Sequence, residues 1–405
     1  MSAPSVDSPS STRRPLEGIT VLELGSRIAS VFASGILAEQ GATVIKVEDP
    51  SGGDVLRTIN PFDGPQSLFF AAEDRNRKSV TLNLRHPTGQ ELFRELANKA
   101  NVLCENFRPG TMERWHLGPA DVNPNLVYAR VSVFGQDGPY SERPGLDLLG
   151  VGYGGLLYMT GPADQPPVKS SVTISDHITA MFLSQAVTAA LYRQRMTGDT
   201  SGVVIDASLY GSILRTLEAT LAEYAATGIA PARGRSRPFD SAPSGLFETA
   251  DSAWIAVSGG SDAAFANVAR LLGRTQWIED PLFTSMQSRF ENAASLNTVL
   301  RAWLKERTSD EAIAQLREFD VPVSRVNSPV DLLNDPHIVA RNDLPDFNDH
   351  VLGPVRLPAP YPRFASFVAP REGAPTLGEH NREVWGELVG IPNARLDTLK
   401  DEGVI

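Results

Sequence analysis

Basic side chains are concentrated around two neighbouring apolar segments of a chain that is otherwise acidic. The first segment, Val80–Leu84, is bracketed by Arg75, Arg77, Lys78 and Arg85. The second, Val102–Cys104, is followed by Arg108 and Arg114. Arginine and lysine bind phosphate through charge-assisted hydrogen bonds. If the two segments are neighbouring strands, these side chains could face one crevice and hold the phosphates of a ligand. The alternative is a rim of solvated surface charge, which is what most exposed arginines form.

A second place where a ligand could bind is the turn after Ile19–Leu24, the first apolar segment of the chain. It runs from Leu24 to Ala29 and lacks the G-x-G-x-x-G pattern that lets the backbone approach a pyrophosphate. Arg27 stands where that close approach would be needed. Glu48 ends the second apolar segment, where a dehydrogenase places the acid that binds a ribose. Because the glycines are missing, the sequence argues against a nicotinamide cofactor.

Short apolar strands alternate with amphipathic helices through the first half of the chain, and these elements must position the residues above. The predicted strands are Ile19–Leu24, Val44–Val47, Val80–Leu84, Val102–Cys104, Leu126–Val133 and Val203–Asp206, and the predicted helices are Ile28–Gln40, Pro87–Asn98 and Leu209–Tyr224. This alternation is typical of βαβ units. It predicts an α/β fold with a Rossmann-like, open parallel sheet, whose ligand would bind at the carboxyl ends of the strands.

The pattern changes after residue 227, which indicates a second domain. A segment rich in Pro, Gly, Ser and Arg precedes a predicted hairpin, Leu246–Thr249 with Trp254–Val257, and several helices. We expect a disordered tail over residues 1–14 and the first part of a large domain over 15–227. A linker and a small α+β domain would occupy 228–326, and 327–405 would return to complete a discontinuous large domain.

Composition excludes several classes of protein. The 405-residue chain has a formal net charge of −11, which argues against nonspecific nucleic-acid binding. It has no run of about 18 apolar residues that could span a bilayer and no secretory signal at its N-terminus, so we expect a cytoplasmic protein with no membrane partner. Its single cysteine, Cys104, excludes an intramolecular disulfide and a multi-cysteine metal site. We expect Cys104 to be a small buried side chain and predict no metal site.

Several blocks of the sequence resemble signatures of one enzyme family. They share order and spacing with that family across about residues 15 to 392: Gly41–Glu48 (G-A-T-V-I-K-V-E), Asn76–Leu84, Val102–Gly110 (containing E-N-F-R-P-G), Gly135–Asp147, Thr249–Val257 and Leu377–His380. The chain is similar to the class III CoA-transferases, which include formyl-CoA transferase, carnitine CoA-transferases and 2-methylacyl-CoA racemase. The resemblance is specific because many independent blocks coincide.

The resemblance assigns a covalent nucleophile to Asp176. The family's motif, similar to G-D-x-x-T-G, matches Ser175–Ala180. Asp176 precedes an apolar segment of helical periodicity, so we expect it at a helix N-terminus, where the helix dipole favours the ionised carboxylate. Free backbone N–H groups there could stabilise an oxyanion. Read without the resemblance, an Asp at this position is an N-cap, and the two roles are compatible.

The resemblance also implies a CoA site and a substrate. Carried over position by position, the residues that would bind CoA are Arg27, Ile28, Ala29, Leu82, Asn83, Leu84, Arg85, Asn106, Phe107, Arg108, Arg114 and Asp147. Acyl-CoA would be a substrate, and no tightly bound cofactor is expected. The other substrate would be a small carboxylic acid, with succinyl-CoA a common donor among relatives. Members of this family form interlocked homodimers, which we expect here too.

The chain departs from the family pattern near the nucleophile. Ser175 and Ala180 stand where the family has glycines, and the glycine-rich loop of formyl-CoA transferases is reduced to Val257–Ser261, which argues against formyl and oxalyl specificity. His177 is beside Asp176, but an ionised carboxylate needs no base, so we expect His177 to lie either on the surface or next to the residues that contact substrate. The arginines of the linker could bind an acceptor carboxylate; they are Arg233, Arg235 and Arg237.

Three other functions remain open. The first is racemisation by the isomerase branch of the family, which needs a proton-handling group on each face of the substrate. That branch has a His before the Asp of its G-H-D motif, whereas this chain has Leu146 before Asp147. The second is a CoA-binding paralogue without turnover, which only the changes at Ser175 and Ala180 favour. The third is a dehydrogenase, which the missing glycines oppose.

Overall fold

The computed structural model of the protein describes residues 13–234 and 242–405. The described residues form two compact units, one that extends to Arg233 and resumes over Asn342–Ile405, and one that runs from Gly234 to Arg341. Residues 1–12 of the predicted tail, together with Arg235 and Arg237 of the linker, lie outside the described residues. Each unit is considered by itself below.

The first unit is built on a parallel sheet. Its strands in chain order are β1 (Thr20–Glu23), β2 (Thr43–Glu48), β3 (Phe62–Asp63), β4 (Gln66–Ser67), β5 (Lys78–Thr81), β6 (Val102–Glu105), β7 (Val127–Ser132) and β8 (Val203–Ser208). Six of them form the sheet in the order β5-β2-β1-β6-β7-β8, and β3 and β4 form a short separate hairpin. All neighbours in the sheet run parallel, which confirms the predicted α/β class.

Helices cover both faces of this sheet. They are α1 (Ala29–Glu39), α2 (Leu68–Glu73), α3 (Pro87–Ala97), α4 (Thr111–Arg114), α5 (Asp147–Tyr153), α6 (Leu156–Met159), α7 (Ile174–Thr197), α8 (Leu209–Arg215) and α9 (Thr220–Thr227), with a 3₁₀ turn at Val55–Thr58. Side chains alternate along a strand, so Val21 joins the core beneath α1 and α7 whereas Leu22 joins the core beneath α3. Cys104 is fully buried in the first of these cores, as predicted.

The single helix predicted over Leu209–Tyr224 is wrong. The structure has two helices there, α8 and α9. Glu218, between them, has a φ of 52°, and a non-glycine residue in this left-handed region interrupts a right-handed helix.

The second unit is a small α+β arrangement. Strands β9 (Ser244–Glu248), β10 (Trp254–Ser258) and β11 (Val323–Arg325) form an antiparallel sheet with β10 at its centre. Its helices are α10 (Asp262–Leu271), α11 (Met286–Glu291), α12 (Ala293–Lys305), α13 (Ser309–Glu318), α14 (Pro329–Asn334) and α15 (Pro336–Arg341), with a 3₁₀ turn at Thr275–Ile278. The predicted hairpin is present as β9 and β10.

The last segment of the chain completes the core of the first unit. It contains β12 (Asp346–Asp349), β13 (Gly353–Arg356), a π-helix at Arg382–Val389 and α16 (Asn393–Asp401). Trp385 is fully buried in the core that also contains Phe93 of α3. The first unit resumes at Asn342 rather than at residue 327, since α14 and α15 belong to the second unit. Neither helix buries a residue.

A fully buried lysine joins several elements beneath the carboxyl ends of β1 and β2. The Nζ atom of Lys46 lies 2.8 Å from Glu23 Oε1, 2.8 Å from Asp54 Oδ2 and 3.0 Å from Asp74 Oδ1, and all four side chains are at most 1% exposed. Burial lowers the pKa of Lys46, but the three carboxylates outweigh it and raise that pKa well above its ordinary value. The ammonium group therefore stays charged and holds β1, β2, α2 and the segment before the 3₁₀ turn together.

Three of the basic residues that the sequence placed at a phosphate-binding crevice do not reach it. Arg75 and Arg77 precede β5 and Lys78 is its first residue, so all three lie at the opposite end of the sheet from the carboxyl ends of the strands. Each is paired within the protein: Arg75 with Glu39, Arg77 with Glu23 and Lys78 with Glu383. The prediction failed because residues at the start of a strand in a parallel sheet lie at its amino end, away from the carboxyl ends where the ligand binds.

None of the described helices is long and apolar enough to cross a membrane.

We predict that Lys46→Met destabilises the protein by about 3–5 kcal/mol, since it removes the ammonium group that three buried carboxylates share and leaves only Arg77 beside Glu23 and Asp74. Urea denaturation measures the change. The matched control is Lys78→Met, whose exposed pair with Glu383 contributes less than about 1 kcal/mol. Equal denaturation midpoints for the two variants would contradict the role given to Lys46.

Candidate active site

A cavity of about 720 Å³ opens at the carboxyl ends of β1, β6 and β7. This main cavity is lined by Ser26, Arg27, Ala29, Asn106, Phe107, Arg108, Pro109, Val131, Ser132, Val133, Arg143, Pro144, Gly145, Leu146, Leu148, Leu149, Asp176 and Leu209. The carboxyl ends of parallel strands are where open α/β sheets bind ligands. The lining combines apolar side chains, three arginines and one carboxylate.

A smaller cavity of about 140 Å³ adjoins the main one, and Ser26 and Phe107 line both. This side cavity is also lined by Leu82, Leu84 and Trp115. The Trp115 ring lies edge-on to Phe107, with 5.2 Å between the ring centroids. A long ligand with a flat apolar end could therefore occupy both cavities at once. Sequence reasoning missed Trp115, although it directly follows the basic residue Arg114 that was singled out.

The loop between β1 and α1 is held from two sides. The Asn106 side chain accepts a hydrogen bond from the Ser26 amide at 3.0 Å and donates one to the Ser26 carbonyl at 2.7 Å. From the other side, Asp54 Oδ1 accepts hydrogen bonds from the Ser26 hydroxyl at 3.1 Å and the Arg27 amide at 3.3 Å. Because both polar groups of the Asn106 amide bind Ser26, this residue shapes the loop.

Most of the residues predicted to bind CoA meet at the two cavities. Arg27, Ala29, Asn106, Phe107 and Arg108 line the main cavity, and Leu82, Leu84, Arg85 and Phe107 line the side cavity.

The remaining predicted residues line neither cavity. Ile28 packs in a core with Leu56 and Phe70, Asn83 accepts a hydrogen bond from the Arg85 amide, Arg114 donates to the Thr111 hydroxyl, and Asp147 bonds to Ser175. Arg85 itself forms an exposed ion pair with Asp49 at 2.9 Å.

A buried pair supports the Asn106–Phe107 segment from below. The Glu105 carboxylate accepts hydrogen bonds from the Phe107 amide at 2.6 Å and from Arg130 Nε at 2.7 Å. Burial raises the pKa of Glu105 to about 7, against the opposing effect of Arg130. Glu105 thus fixes the direction in which the chain leaves β6.

Asp176 is the third residue of α7 and not its N-cap, which corrects the sequence-based interpretation. The helix begins at Ile174, with Thr173 at the N-cap position and without a side-chain cap there. The Asp147 carboxylate takes over that function from outside, since it accepts hydrogen bonds from the Ser175 amide at 2.8 Å and the Ser175 hydroxyl at 2.7 Å. One of the N–H groups expected to stabilise an oxyanion is therefore already used.

The carboxylate of Asp176 faces the main cavity and has no hydrogen-bond partner among residues 13–234 and 242–405. Burial and the nearby Asp147 carboxylate raise the pKa of Asp176 to about 7, and the positive charges of His177 and Arg27 oppose them. A carboxylate that no donor stabilises is a better nucleophile than one held by hydrogen bonds. The site therefore presents a reactive oxygen to whatever occupies the cavity.

Arginines supply the positive charge of the main cavity. Within the described part of the chain, the guanidinium groups of Arg27, Arg108 and Arg143 have no acidic partner, unlike Arg77 and Arg130 in the interior. Arg143 is stacked over the Tyr140 ring at 3.5 Å, which restricts its side chain. Three unpaired cations around one cavity suit a ligand that carries several negative charges.

Comparison with known proteins agrees with this chemistry. The model of CoA-transferase family III matches residues 16–381. The chain belongs to this family.

Relatives of known activity are similar to the chain over its whole length. The succinyl-CoA–D-citramalate CoA-transferase of Chloroflexus aurantiacus is 35% identical over 97% of this chain and 98% of its own. The acetyl-CoA:oxalate CoA-transferase of Acetobacter aceti is 32% identical over 96% and 99%. A CaiB/BaiF family protein from Brucella suis has a similar structure, with a TM-score of 0.81, 30% identity, and coverage of 93% of this chain and 100% of its own. As a family III CoA-transferase, the protein is an enzyme that transfers CoA between an acyl-CoA and a carboxylic acid.

Proposed function

We propose that the enzyme transfers CoA through a covalent aspartyl-CoA thioester on Asp176. The observation that carries this proposal is the Asp176 carboxylate, which lines a cavity of about 720 Å³ and receives no hydrogen bond from the described residues. A nucleophile must be free to reach the substrate carbonyl, and a structural carboxylate at the same place would be bonded. Ser175 and Asp147 hold the backbone of Asp176 in place without engaging its side chain.

The reaction needs no net proton transfer. The Asp176 carboxylate attacks the acyl-CoA carbonyl, the carbon–sulfur bond breaks, and a mixed anhydride and the CoA thiolate form. The thiolate then attacks the Asp176 carbonyl and releases the donor acid, which leaves aspartyl-CoA. The acceptor carboxylate repeats the two steps in reverse order and departs as its CoA thioester, so Asp176 is regenerated. Each step exchanges one activated acyl bond for another.

In this proposal, one CoA molecule occupies both cavities. The adenine would lie in the side cavity against Leu82 and Trp115, and the pantetheine would pass Phe107 toward Asp176. Arg108, which is exposed and lacks an acidic partner in the described part of the chain, would bind phosphate.

We further propose that the acceptor is a small dicarboxylic acid. One carboxylate must approach Asp176 and leave the other inside the cavity, where a cation has to compensate its charge. Arg143 lines the same cavity and is stacked on Tyr140. The acids named beside the acyl-CoA in the names of the two relatives above are citramalate and oxalate, and both carry two carboxylates.

Two alternatives have less support. Racemisation needs a proton-handling group where the racemase branch has its His, and Leu146 at that position is an exposed apolar side chain on the cavity wall. A paralogue without turnover would need a disabled nucleophile. Ser175 instead anchors α7 through Asp147, and Ala180 is fully buried in the core, so neither residue obstructs Asp176.

We also propose the interlocked homodimer that the resemblance implies. Helices α7 and α9 carry large apolar side chains that are between 41% and 65% exposed: Met181, Phe182, Tyr192, Met196, Leu221 and Tyr224. Monomeric proteins rarely leave so much apolar surface in water, and a second copy of the chain would cover it. Light scattering after size-exclusion chromatography at micromolar concentration is expected to give the mass of a dimer, and a monomer mass would contradict the proposal.

Asp176→Asn is expected to lose CoA transfer by more than about a thousandfold, since an amide cannot form the anhydride. The variant should still bind CoA and fold at least as stably as the wild type, because Asp176 is not a cap and burying an amide costs less than burying a carboxylate. Transfer assays and CoA titration by calorimetry measure the two effects. The matched control is Asp199→Asn, an exposed change after the same helix that should leave transfer intact. Appreciable transfer by Asp176→Asn would refute the mechanism.

Arg143→Gln is expected to raise the KM for dicarboxylic acceptors about tenfold, since it removes a charge-assisted hydrogen bond. The KM for monocarboxylic acids of similar size should change little. Initial rates with succinyl-CoA and a panel of both kinds of acid measure the difference, with Arg195→Gln, an exposed change in α7, as the control. An equal rise in the KM for both kinds of acid would show that Arg143 does not bind the second carboxylate.

A further inference from the structure

His177 follows the nucleophile in α7 but lies outside the main cavity. Its ring packs edge-on against Phe32 of α1, with 4.7 Å between the centroids, and its side chain is 27% exposed. Glu73, the last residue of α2, approaches the ring from the opposite element and is 17% exposed. Neither residue lines the cavity, so neither contacts substrate.

Both ring nitrogens of His177 face groups that accept hydrogen bonds. Nδ1 lies 2.7 Å from the Thr173 carbonyl oxygen, which can only accept, so Nδ1 carries a proton. Nε2 lies 3.9 Å from Glu73 Oε1, which is too far for a direct hydrogen bond but close enough for the carboxylate charge to favour a protonated ring. The doubly protonated, positively charged ring is the form that suits both neighbours. Burial lowers the pKa of His177, but Glu73 and the Thr173 carbonyl outweigh it and raise that pKa above its ordinary value.

Charges of alternating sign thus converge on the nucleophile. Glu73 is negative, His177 is positive and Asp176 is negative, and the Asp147 carboxylate on α5 and the Arg27 guanidinium on the β1–α1 loop complete the set that acts on Asp176. Phe32, from α1, contributes no charge. Without His177, only Arg27 would offset the effect of Asp147, and Arg27 is exposed and screened by water.

Given the proposed function, we propose that the Glu73–His177 ion pair holds a positive charge beside Asp176 and so favours the ionised, nucleophilic form of that carboxyl group. His177 and Glu73 are positioning residues in this account, since they act only through Asp176. The ion pair also links α2, which the Lys46 cluster anchors through Asp74, to the start of α7.

The test is the pH dependence of kcat/KM for succinyl-CoA. His177→Gln removes the charge, so the titration of Asp176 should move up by about one pH unit. At pH 6 the variant should be about tenfold slower than the wild type, and by pH 9, where Asp176 is ionised in both and the wild-type ring has lost its extra proton, the two should differ less than about twofold. A uniform loss at every pH would indicate a structural role and overturn the proposal.

Two further variants separate charge from shape. Glu73→Gln should shift the profile in the same direction, because His177 then loses its extra proton more readily, and it should add nothing in the His177→Gln background. His177→Lys restores a positive charge on a side chain of different shape and should bring the pH profile of kcat/KM back toward that of the wild type. If Glu73→Gln adds its full effect to His177→Gln, the two residues do not act as one pair.

A measurement that does not depend on turnover separates this inference from the proposed function. The Asp176 carboxyl carbon can be followed by carbon-13 NMR as pH is varied, with its signal assigned from the spectrum of Asp176→Asn. The signal should titrate about one pH unit higher in His177→Gln. A shifted titration in a protein that transfers no CoA would refute the proposed function and leave this inference standing. An unshifted titration would overturn the inference alone.

Discussion

Lys46 places an ammonium group in the interior of the first unit, where water cannot reach it and three carboxylates surround it at 2.8 to 3.0 Å. Removing such a charge from water is costly, and contacts of this quality offset the cost only when every partner is in place. The three partners come from different elements: Glu23 from β1, Asp54 from the segment before the 3₁₀ turn, and Asp74 from the end of α2. The cluster therefore ties three segments that are separate in the sequence to one point in the core.

The active site is attached to this arrangement on one side and to α5 on the other. Asp54 pairs with Lys46 and also accepts hydrogen bonds from the Ser26 hydroxyl and the Arg27 amide. The buried cluster therefore fixes the position of the loop that lines the cavity. Across the cavity, Asp147 fixes the start of α7 through Ser175. No donor among the described residues bonds the side chain of Asp176, which lies between these two anchors. In the proposed mechanism its reactivity therefore follows from the charges around it.

The parallel sheet could be predicted from the sequence because it is built from one local pattern, a strand followed by a helix, that repeats along the chain. β1 and β6 lie within one residue of their predicted bounds at both ends, since an apolar strand followed by an amphipathic helix is visible in a short window. Most of the residues that the family motifs singled out line the two cavities. Long-range contacts were not visible in the same way.

The start of α7 shows the limit most clearly. The helix begins earlier than Asp176 because its cap comes from Asp147 on α5, a partner that no local pattern reveals. The ion pair of Glu73 with His177 spans two helices far apart in the sequence, and Trp115 enters the side cavity only through its packing on Phe107. In each case the function of a residue depends on what the fold brings beside it.

The central claim is that Asp176 becomes covalently bound to CoA during turnover. The most direct measurement is peptide mapping by mass spectrometry after the enzyme has been mixed with succinyl-CoA and rapidly quenched in acid. The account predicts a CoA thioester on the peptide that contains Asp176, and its loss when an acceptor acid is added before the quench. Transfer that proceeds at full rate with no such adduct, or with the adduct on another residue, would contradict the account.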